Sequence, residues 1–169
     1  MYKIGIIGLG YVGLPLTLAF SKKFNLIAFD KSTDRINQLK KNFDINKEFN
    51  KKELSLNSKK IIYTNNFYDL NNCNIFIVAV PTPIKKNKTP DLKSINNACN
   101  NISKIIKKND IVIFESTVYP GLTENHCAKI LEKKSGLKFN KDFFCGYSPE
   151  RINPGDKYFN IHNIIKITS

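Results

Sequence analysis

The sequence lacks the long hydrophobic run that a membrane-spanning helix needs. Its longest apolar stretch covers residues 75–80, far short of the roughly 20 residues that cross a bilayer. The amino terminus enters a short strand pattern with no apolar signal-peptide segment. We therefore expect a cytoplasmic protein that does not associate with a membrane.

Paired cysteine motifs are also missing. Cys73, Cys99, Cys127 and Cys145 are scattered along the chain and form no C-x-x-C pair. This spacing suggests neither a zinc site nor a disulfide framework. We expect reduced, partly buried thiols and no metal.

Arginine is scarce, although the net charge is +13. Arg35 and Arg151 are the arginines, and the lysines are dispersed, with pairs at the ends of predicted helices, where cations meet the negative end of the helix dipole. No basic stripe with interleaved aromatic residues is present. The charge favours a solvated, lysine-coated surface over nucleic-acid binding, and it is compatible with small polyanionic ligands.

The chain itself has the size and composition of one compact domain. It has 169 residues, of which 41% are hydrophobic and 24% charged. Short apolar strand patterns alternate with helical patterns, which predicts a Rossmann-type α/β fold, a doubly wound parallel sheet of six main strands. The strand patterns cover residues 3–7, 26–30, 61–64, 75–80, 111–114 and 163–168, with a short extended piece at 143–149. Helical patterns cover residues 14–20, 32–41, 91–105 and 120–136. Residues 43–60 are predicted to form a polar surface excursion without chemistry, with one helical turn near residues 52–56.

A glycine fingerprint joins the first strand to the first helix. Gly8 permits a tight turn, Gly10 lets backbone amides approach a pyrophosphate, and Gly13 lets the helix pack close to the strand. This context, strand before and helix after, indicates a dinucleotide site more strongly than the G-x-G-x-x-G spacing alone. A purely structural glycine turn is the alternative.

An acidic residue follows the second strand about 20 residues after the glycines. Asp30 is placed to accept hydrogen bonds from a ribose, and its charge opposes the extra phosphate of NADP, so NAD is favoured. Lys31 and Arg35 complicate this prediction, because either cation could neutralise that phosphate. The alternative for Arg35 is a solvated helix residue paired with Asp34 or with a glutamate.

Three further polar residues follow predicted strands. Thr82 and Thr117 lie beyond the fourth and fifth strands, at the edge where ligands of open α/β sheets collect. The alternative for both is local turn capping by the hydroxyl. Glu150 is a candidate partner for a water or a substrate hydroxyl, or else forms a salt bridge with Arg151.

Four strings carry a resemblance to a known family. They are Gly-Leu-Gly-Tyr-Val-Gly-Leu-Pro at residues 8–15, Val-Pro-Thr-Pro at 80–83, Glu-Ser-Thr-Val-Tyr-Pro-Gly at 115–121 and Gly-Tyr-Ser-Pro-Glu-Arg-Ile-Asn-Pro-Gly at 146–155. In this order they resemble the UDP-glucose/GDP-mannose dehydrogenase family, along essentially the whole chain.

The resemblance implies an NAD-dependent oxidation of a nucleotide-sugar C6 hydroxyl to a carboxylate. Residues 1–169 would be the NAD-binding domain, and the family's central and C-terminal domains, with the nucleophilic cysteine and the homodimer contacts, would lie outside this chain. Thr117 and Glu150 would position a catalytic water. Pro154 stands where many relatives have a second glutamate, and the last string resembles the branch that acts on UDP-N-acetylhexosamines or their uronates for bacterial surface polysaccharides. The residues expected to contact NAD are Gly8, Gly10, Tyr11, Val12, Gly13, Asp30, Arg35, Thr82 and Thr117.

Two other readings stay open. A short-chain dehydrogenase would need Tyr-x-x-x-Lys, which no tyrosine of the chain provides, but another Rossmann dehydrogenase remains possible. A non-catalytic dinucleotide-binding module is the second alternative. The sequence does not identify the sugar.

Overall fold

The chain folds around one parallel sheet of six strands. The structure is a computed structural model that describes residues 2–149 and Thr168. Its strands are β1 (Ile4–Ile7), β2 (Leu26–Phe29), β3 (Ile61–Thr64), β4 (Ile75–Val78), β5 (Asp110–Phe114) and β6 (Phe143–Tyr147). They pair in the order β3-β2-β1-β4-β5-β6, all parallel. The predicted Rossmann-type fold is confirmed, and the extended piece at 143–149 supplies the sixth strand.

Some predicted features lie outside the described residues. These are Glu150, Arg151 and Pro154, together with the expected strand 163–168 apart from Thr168.

Helices cover both faces of the sheet, as right-handed crossovers between parallel strands require. They are α1 (Gly13–Ser21), α2 (Thr33–Lys40), α3 (Lys51–Ser55), α4 (Lys93–Ile102) and α5 (Ala128–Ser135). Ser58–Lys60 and Phe67–Asn72 are 3₁₀ turns, and Thr123–Cys127 is π-helical. In the described part of the chain no helix is long and apolar enough to cross a membrane.

Successive residues of β1 supply two separate cores, because side chains alternate across a strand. Ile6 packs with Leu14 of α1 and Ile36 of α2, whereas Ile7 packs on the opposite face with the apolar residues of α4 and α5. All four residues of β1 are buried, as expected for a central parallel strand.

Several element boundaries differ from the predictions. β2 ends at Phe29 and β4 at Val78, each before the predicted end, although the Asp30 N–H still donates to the Thr64 carbonyl at 3.1 Å and the Ala79 N–H to the Ile7 carbonyl at 2.9 Å. α4 ends at Ile102, but Ile105 stays buried because tight turns continue along the same face. The helical spacing therefore persists beyond the α-helix itself.

The segment 43–60 contains the predicted helical turn, which is α3, and it also contributes buried side chains. Asn50 caps α3 through a capping box with Glu53, and Leu54 is buried. Asp44 is 4% exposed.

A candidate dinucleotide-binding site

The glycine turn after β1 has a backbone that only glycine adopts readily. Gly8 has φ +95°, and a Cβ there would lie 2.8 Å from the Ala79 carbonyl oxygen. Its N–H donates to the Phe29 carbonyl at 2.9 Å, which ties the turn to the end of β2. The turn is thus fixed between β2 and β4, at the point where the strand order reverses.

Gly13 allows α1 to begin directly against that turn. A Cβ on Gly13 would lie 1.7 Å from the Gly8 carbonyl oxygen, a distance that no folded chain accepts. The Thr17 hydroxyl donates to the Gly13 carbonyl at 2.7 Å, within the first turns of the helix. The close packing expected of the third glycine is present.

Gly10 faces open space, in contrast to Gly8 and Gly13. It is exposed, and a Cβ built on it meets nothing within 4 Å. Tyr11 is 49% exposed beside it, and Val12 lies at the start of α1. The turn therefore offers a free concave backbone next to a helix N-terminus, the arrangement that fits a pyrophosphate.

Asp30 stands at the end of β2 and accepts two backbone hydrogen bonds. Its Oδ2 accepts from the Leu9 N–H at 2.8 Å and its Oδ1 from the Ser32 N–H at 2.9 Å. The carboxylate is half-buried. Each oxygen retains a further lone pair, so the group can also accept from ribose hydroxyls.

Arg35 lies behind the glycine turn, and the alternative of a solvated residue paired with Asp34 or a glutamate is wrong. The side chain is buried, its Nε donates to the Leu9 carbonyl at 2.9 Å, and its Nη1 pairs with Asp44 at 2.7 Å. Ser32 caps α2, with its side chain accepting from the Arg35 N–H.

Sequence reasoning missed Asp44. Its only local signal is an Asx turn, since Asp44 Oδ1 accepts from the Asn46 N–H two residues on. Such a motif indicates a turn and says nothing about a partner. Asp44 becomes a partner because Arg35 reaches this segment through the interior.

Thr82 and Thr117 are brought together at the carboxyl ends of β4 and β5. The Thr82 hydroxyl donates to the Thr117 carbonyl at 2.6 Å, a contact across strands rather than the local capping considered as the alternative for Thr82. Ser116, which sequence reasoning did not single out, is buried and donates to the Val80 carbonyl at 2.7 Å. Both bonds join the loops on the ligand side of the sheet.

The cysteines do not converge on this edge as activated nucleophiles. Burial raises the pKa of Cys73 to about 11 and that of Cys145 to about 12. A hydrogen bond with Cys127, together with burial, raises the pKa of Cys99. Cys73 lies before β4, at the opposite edge of the sheet. These thiols stay protonated at neutral pH and are poor nucleophiles.

The described residues contain no group of three or more histidine, cysteine or acidic side chains that could hold a metal ion.

A glycine turn and helix N-terminus beside the switch point of a 3-2-1-4-5-6 sheet, with a carboxylate ending β2, define a Rossmann-type dinucleotide-binding domain. The chain belongs to the UDP-glucose/GDP-mannose dehydrogenase family, whose NAD binding domain matches residues 2–168. NAD is the cofactor of this domain.

Two relatives and one solved structure that resemble this chain are named as dehydrogenases of UDP-sugars. The chain is 52% identical over 167 residues to a UDP-N-acetyl-D-glucosamine 6-dehydrogenase from Pseudomonas aeruginosa, and 47% identical over 167 residues to one from Salmonella typhi. Each alignment covers 99% of this chain and 39% of the relative. A UDP-D-ManNAc dehydrogenase structure from Pyrococcus horikoshii superimposes with a TM-score of 0.83 at 31% identity, covering 90% of this chain and 37% of that one. The chain therefore spans about two fifths of the proteins that it matches.

Proposed function

We propose that this chain is the NAD-binding domain of a nucleotide-sugar 6-dehydrogenase that acts on a UDP-N-acetylhexosamine. The observation that carries the proposal is the 52% identity to a UDP-N-acetyl-D-glucosamine 6-dehydrogenase along 99% of the chain. The geometry supports it, because the open backbone at Gly10 and the carboxylate of Asp30 lie where the two ends of an adenosine diphosphate moiety would bind.

Each site residue has a role in this proposal, and that of Arg35 is to hold the glycine turn from behind through the Leu9 carbonyl. Gly8 and Gly13 shape the turn, Gly10, Tyr11 and Val12 line the pyrophosphate, and Asp30 accepts from the adenosine ribose. Bound NAD supplies the hydride acceptor. Thr82 and Thr117 lie at the edge of the sheet where the nicotinamide would be held, and Thr117 would orient a water together with Glu150, which is outside the described residues.

The remaining domains of the parent are part of the proposal. Complete oxidation to the acid needs a thiolate that holds the aldehyde before the second hydride leaves. The four cysteines of this chain are buried or half-buried, and those with a resolved shift have raised pKa values. We infer that a cysteine of a further domain supplies the nucleophile, that such domains complete the sugar pocket, and that they form a homodimer.

The setting follows from the same relationship. We propose a cytoplasmic enzyme of bacterial surface polysaccharide synthesis, with a UDP-sugar as substrate and without nucleic-acid or membrane partners. The dispersed lysines support this view, because they form no aromatic-interleaved stripe.

The test is calorimetric titration of the chain with NAD and NADP. We expect NAD to bind more tightly, because Asp30 pairs with a free hydroxyl and repels a phosphate. Asp30→Ala should reduce the difference between the affinities for NAD and NADP. Equal affinity of the unchanged chain for both dinucleotides would contradict the assigned role of Asp30, and failure to bind either would contradict the proposal as a whole.

The second measurement follows NADH absorbance with NAD and a panel of UDP-hexoses and UDP-N-acetylhexosamines. We expect none to form, because in this proposal the first hydride transfer needs a sugar pocket that further domains complete, and the second also needs their nucleophilic cysteine. Steady NADH production that survives Cys145→Ala would show a complete active site within this chain. Binding without turnover by the intact parent would instead favour the non-catalytic module.

A further inference from the structure

One peptide segment of the glycine turn is held from both sides. The Leu9 N–H donates to Asp30, and the Leu9 carbonyl accepts from Arg35 Nε at 2.9 Å. Leu9 itself is fully buried. The acidic and the basic side chain near the expected ribose site are therefore linked through a single residue.

Arg35 is held in place by Asp44. Nη1 lies 2.7 Å from Asp44 Oδ1, and the Asp44 side chain is 0% exposed. Oδ1 also accepts from Asn46 N–H, and Oδ2 accepts from the backbone N–H groups of Glu48 and Phe49 at 3.0 and 3.3 Å. Three backbone donors thus fix the carboxylate, and the carboxylate fixes the guanidinium.

This pair sets the direction of an amide in the turn. In a trans peptide the C=O and the following N–H point in opposite directions. Because the Leu9 carbonyl points to the buried Arg35, the Gly10 N–H points away from Arg35. The ion pair therefore fixes the direction of a donor on the residue that is expected to face the pyrophosphate.

The Arg35–Asp44 ion pair also determines the net charge next to the expected ribose site. Asp44 neutralises Arg35, whereas Asp30 is bonded only to neutral backbone donors among the described residues. Arg35 Nη2 is buried and has no hydrogen-bond partner in the described part of the chain. If Asp44 lost its charge, the cation behind Leu9 would be uncompensated.

We propose that Asp44 is a positioning residue that determines dinucleotide specificity. By holding Arg35 on the Leu9 carbonyl and cancelling its charge, it removes one of the two cations that could neutralise the extra phosphate of NADP, so that Asp30 opposes NADP with Lys31 as the remaining cation beside it. This inference rests on the proposed NAD-binding function and adds to it a residue that does not itself touch the cofactor.

The experiment compares Asp44→Asn with Asp34→Asn by calorimetric titration with NAD and NADP. Both variants remove one negative charge near the same helix, but Asp34 is exposed in the first turn of α2. We expect Asp44→Asn to lower the ratio of the NADP to the NAD dissociation constant by about fivefold to tenfold, the effect of one unit charge in partly screened surroundings. Asp34→Asn should change that ratio by less than about twofold, because an exposed charge is screened.

A double variant removes both charges of the pair. Arg35→Met with Asp44→Asn leaves no buried unpaired ion, and we expect it to keep the unchanged chain's NADP to NAD ratio within about twofold while binding both dinucleotides more weakly. Its ratio remains informative even if Asp44→Asn alone does not fold.

The outcomes are separable. An unchanged ratio in a folded Asp44→Asn variant, an equal change in Asp34→Asn, or loss of NAD preference in the double variant would each overturn the inference. If Asp44 had a merely structural role, Asp44→Asn would lower the melting temperature and weaken the binding of both dinucleotides equally. Failure of the unchanged chain to bind NAD would instead overturn the proposed function, independently of any variant.

Discussion

Gly13 and Gly10 lie in the same turn, but a methyl group added at Gly13 should destabilise the fold, whereas one added at Gly10 should leave its stability nearly unchanged. In Gly13→Ala, the new Cβ would lie 1.7 Å from the Gly8 carbonyl oxygen, so the two atoms must separate by about 1.3 Å to reach 3.0 Å. Both belong to backbone, so the separation requires α1 to move from the turn. That movement loosens the contacts of Leu14 and Leu16, which are 1% and 4% exposed.

The expected cost of Gly13→Ala is about 3 kcal/mol or more, at the upper end of overpacking penalties. For a chain of this size it corresponds to a fall in melting temperature of roughly 10 °C. Gly10→Ala is the matched control, since its Cβ meets nothing within 4 Å. Its free energy of unfolding should stay within about 0.5 kcal/mol of the unchanged chain.

Thermal unfolding and calorimetric titration measure the two effects separately. Gly10→Ala should keep the melting temperature and weaken the binding of NAD by about tenfold or more. Gly10→Val should abolish NAD binding, because side-chain atoms then occupy the space needed by the pyrophosphate. The reasoning is refuted if Gly13→Ala has the same melting temperature as the unchanged chain, or if Gly10→Val binds NAD with the affinity of the unchanged chain.

Two further predictions concern pH. Burial raises the pKa of Tyr63 to about 12, so the free energy of unfolding should fall as pH rises from about 10, where the unfolded phenol ionises, to about 12. Tyr63→Phe should reduce that fall in denaturant titrations. An alkaline profile identical to that of the unchanged chain would contradict this prediction. Burial also raises the pKa of Asp110, so the folded state holds this proton more tightly than the unfolded state, and its contribution to stability is lost as pH rises through the acid range. Relative to the unchanged chain, Asp110→Asn should therefore gain stability as pH rises through the acid range, and a relative loss of stability over that range would show that the hydrogen bond from the Lys107 N–H outweighs burial.

Local patterns in the sequence were sufficient to predict the order of elements and the ligand edge of the sheet. Apolar strands, helical spacing and the glycine fingerprint depend on residues close along the chain, so the strand order and the position of Asp30 after β2 follow from general rules of α/β folds. Thr82 and Thr117 could be placed at one edge because carboxyl ends of parallel strands meet there. Their hydrogen bond could not, because it depends on how two loops pack.

Only the tertiary structure decided the direction of Arg35 and the importance of Asp44. On the helix, Arg35 could equally have faced Asp34 in solvent, and nothing in the polar segment 43–60 distinguishes Asp44 from its neighbours. The segment folds back beneath the glycine turn, and burial there selects the ionic partner, since an unpaired guanidinium would be costly in the interior. Short-range spacing thus predicted where the candidate dinucleotide site lies, whereas long-range packing decided which side chains form ion pairs beside it.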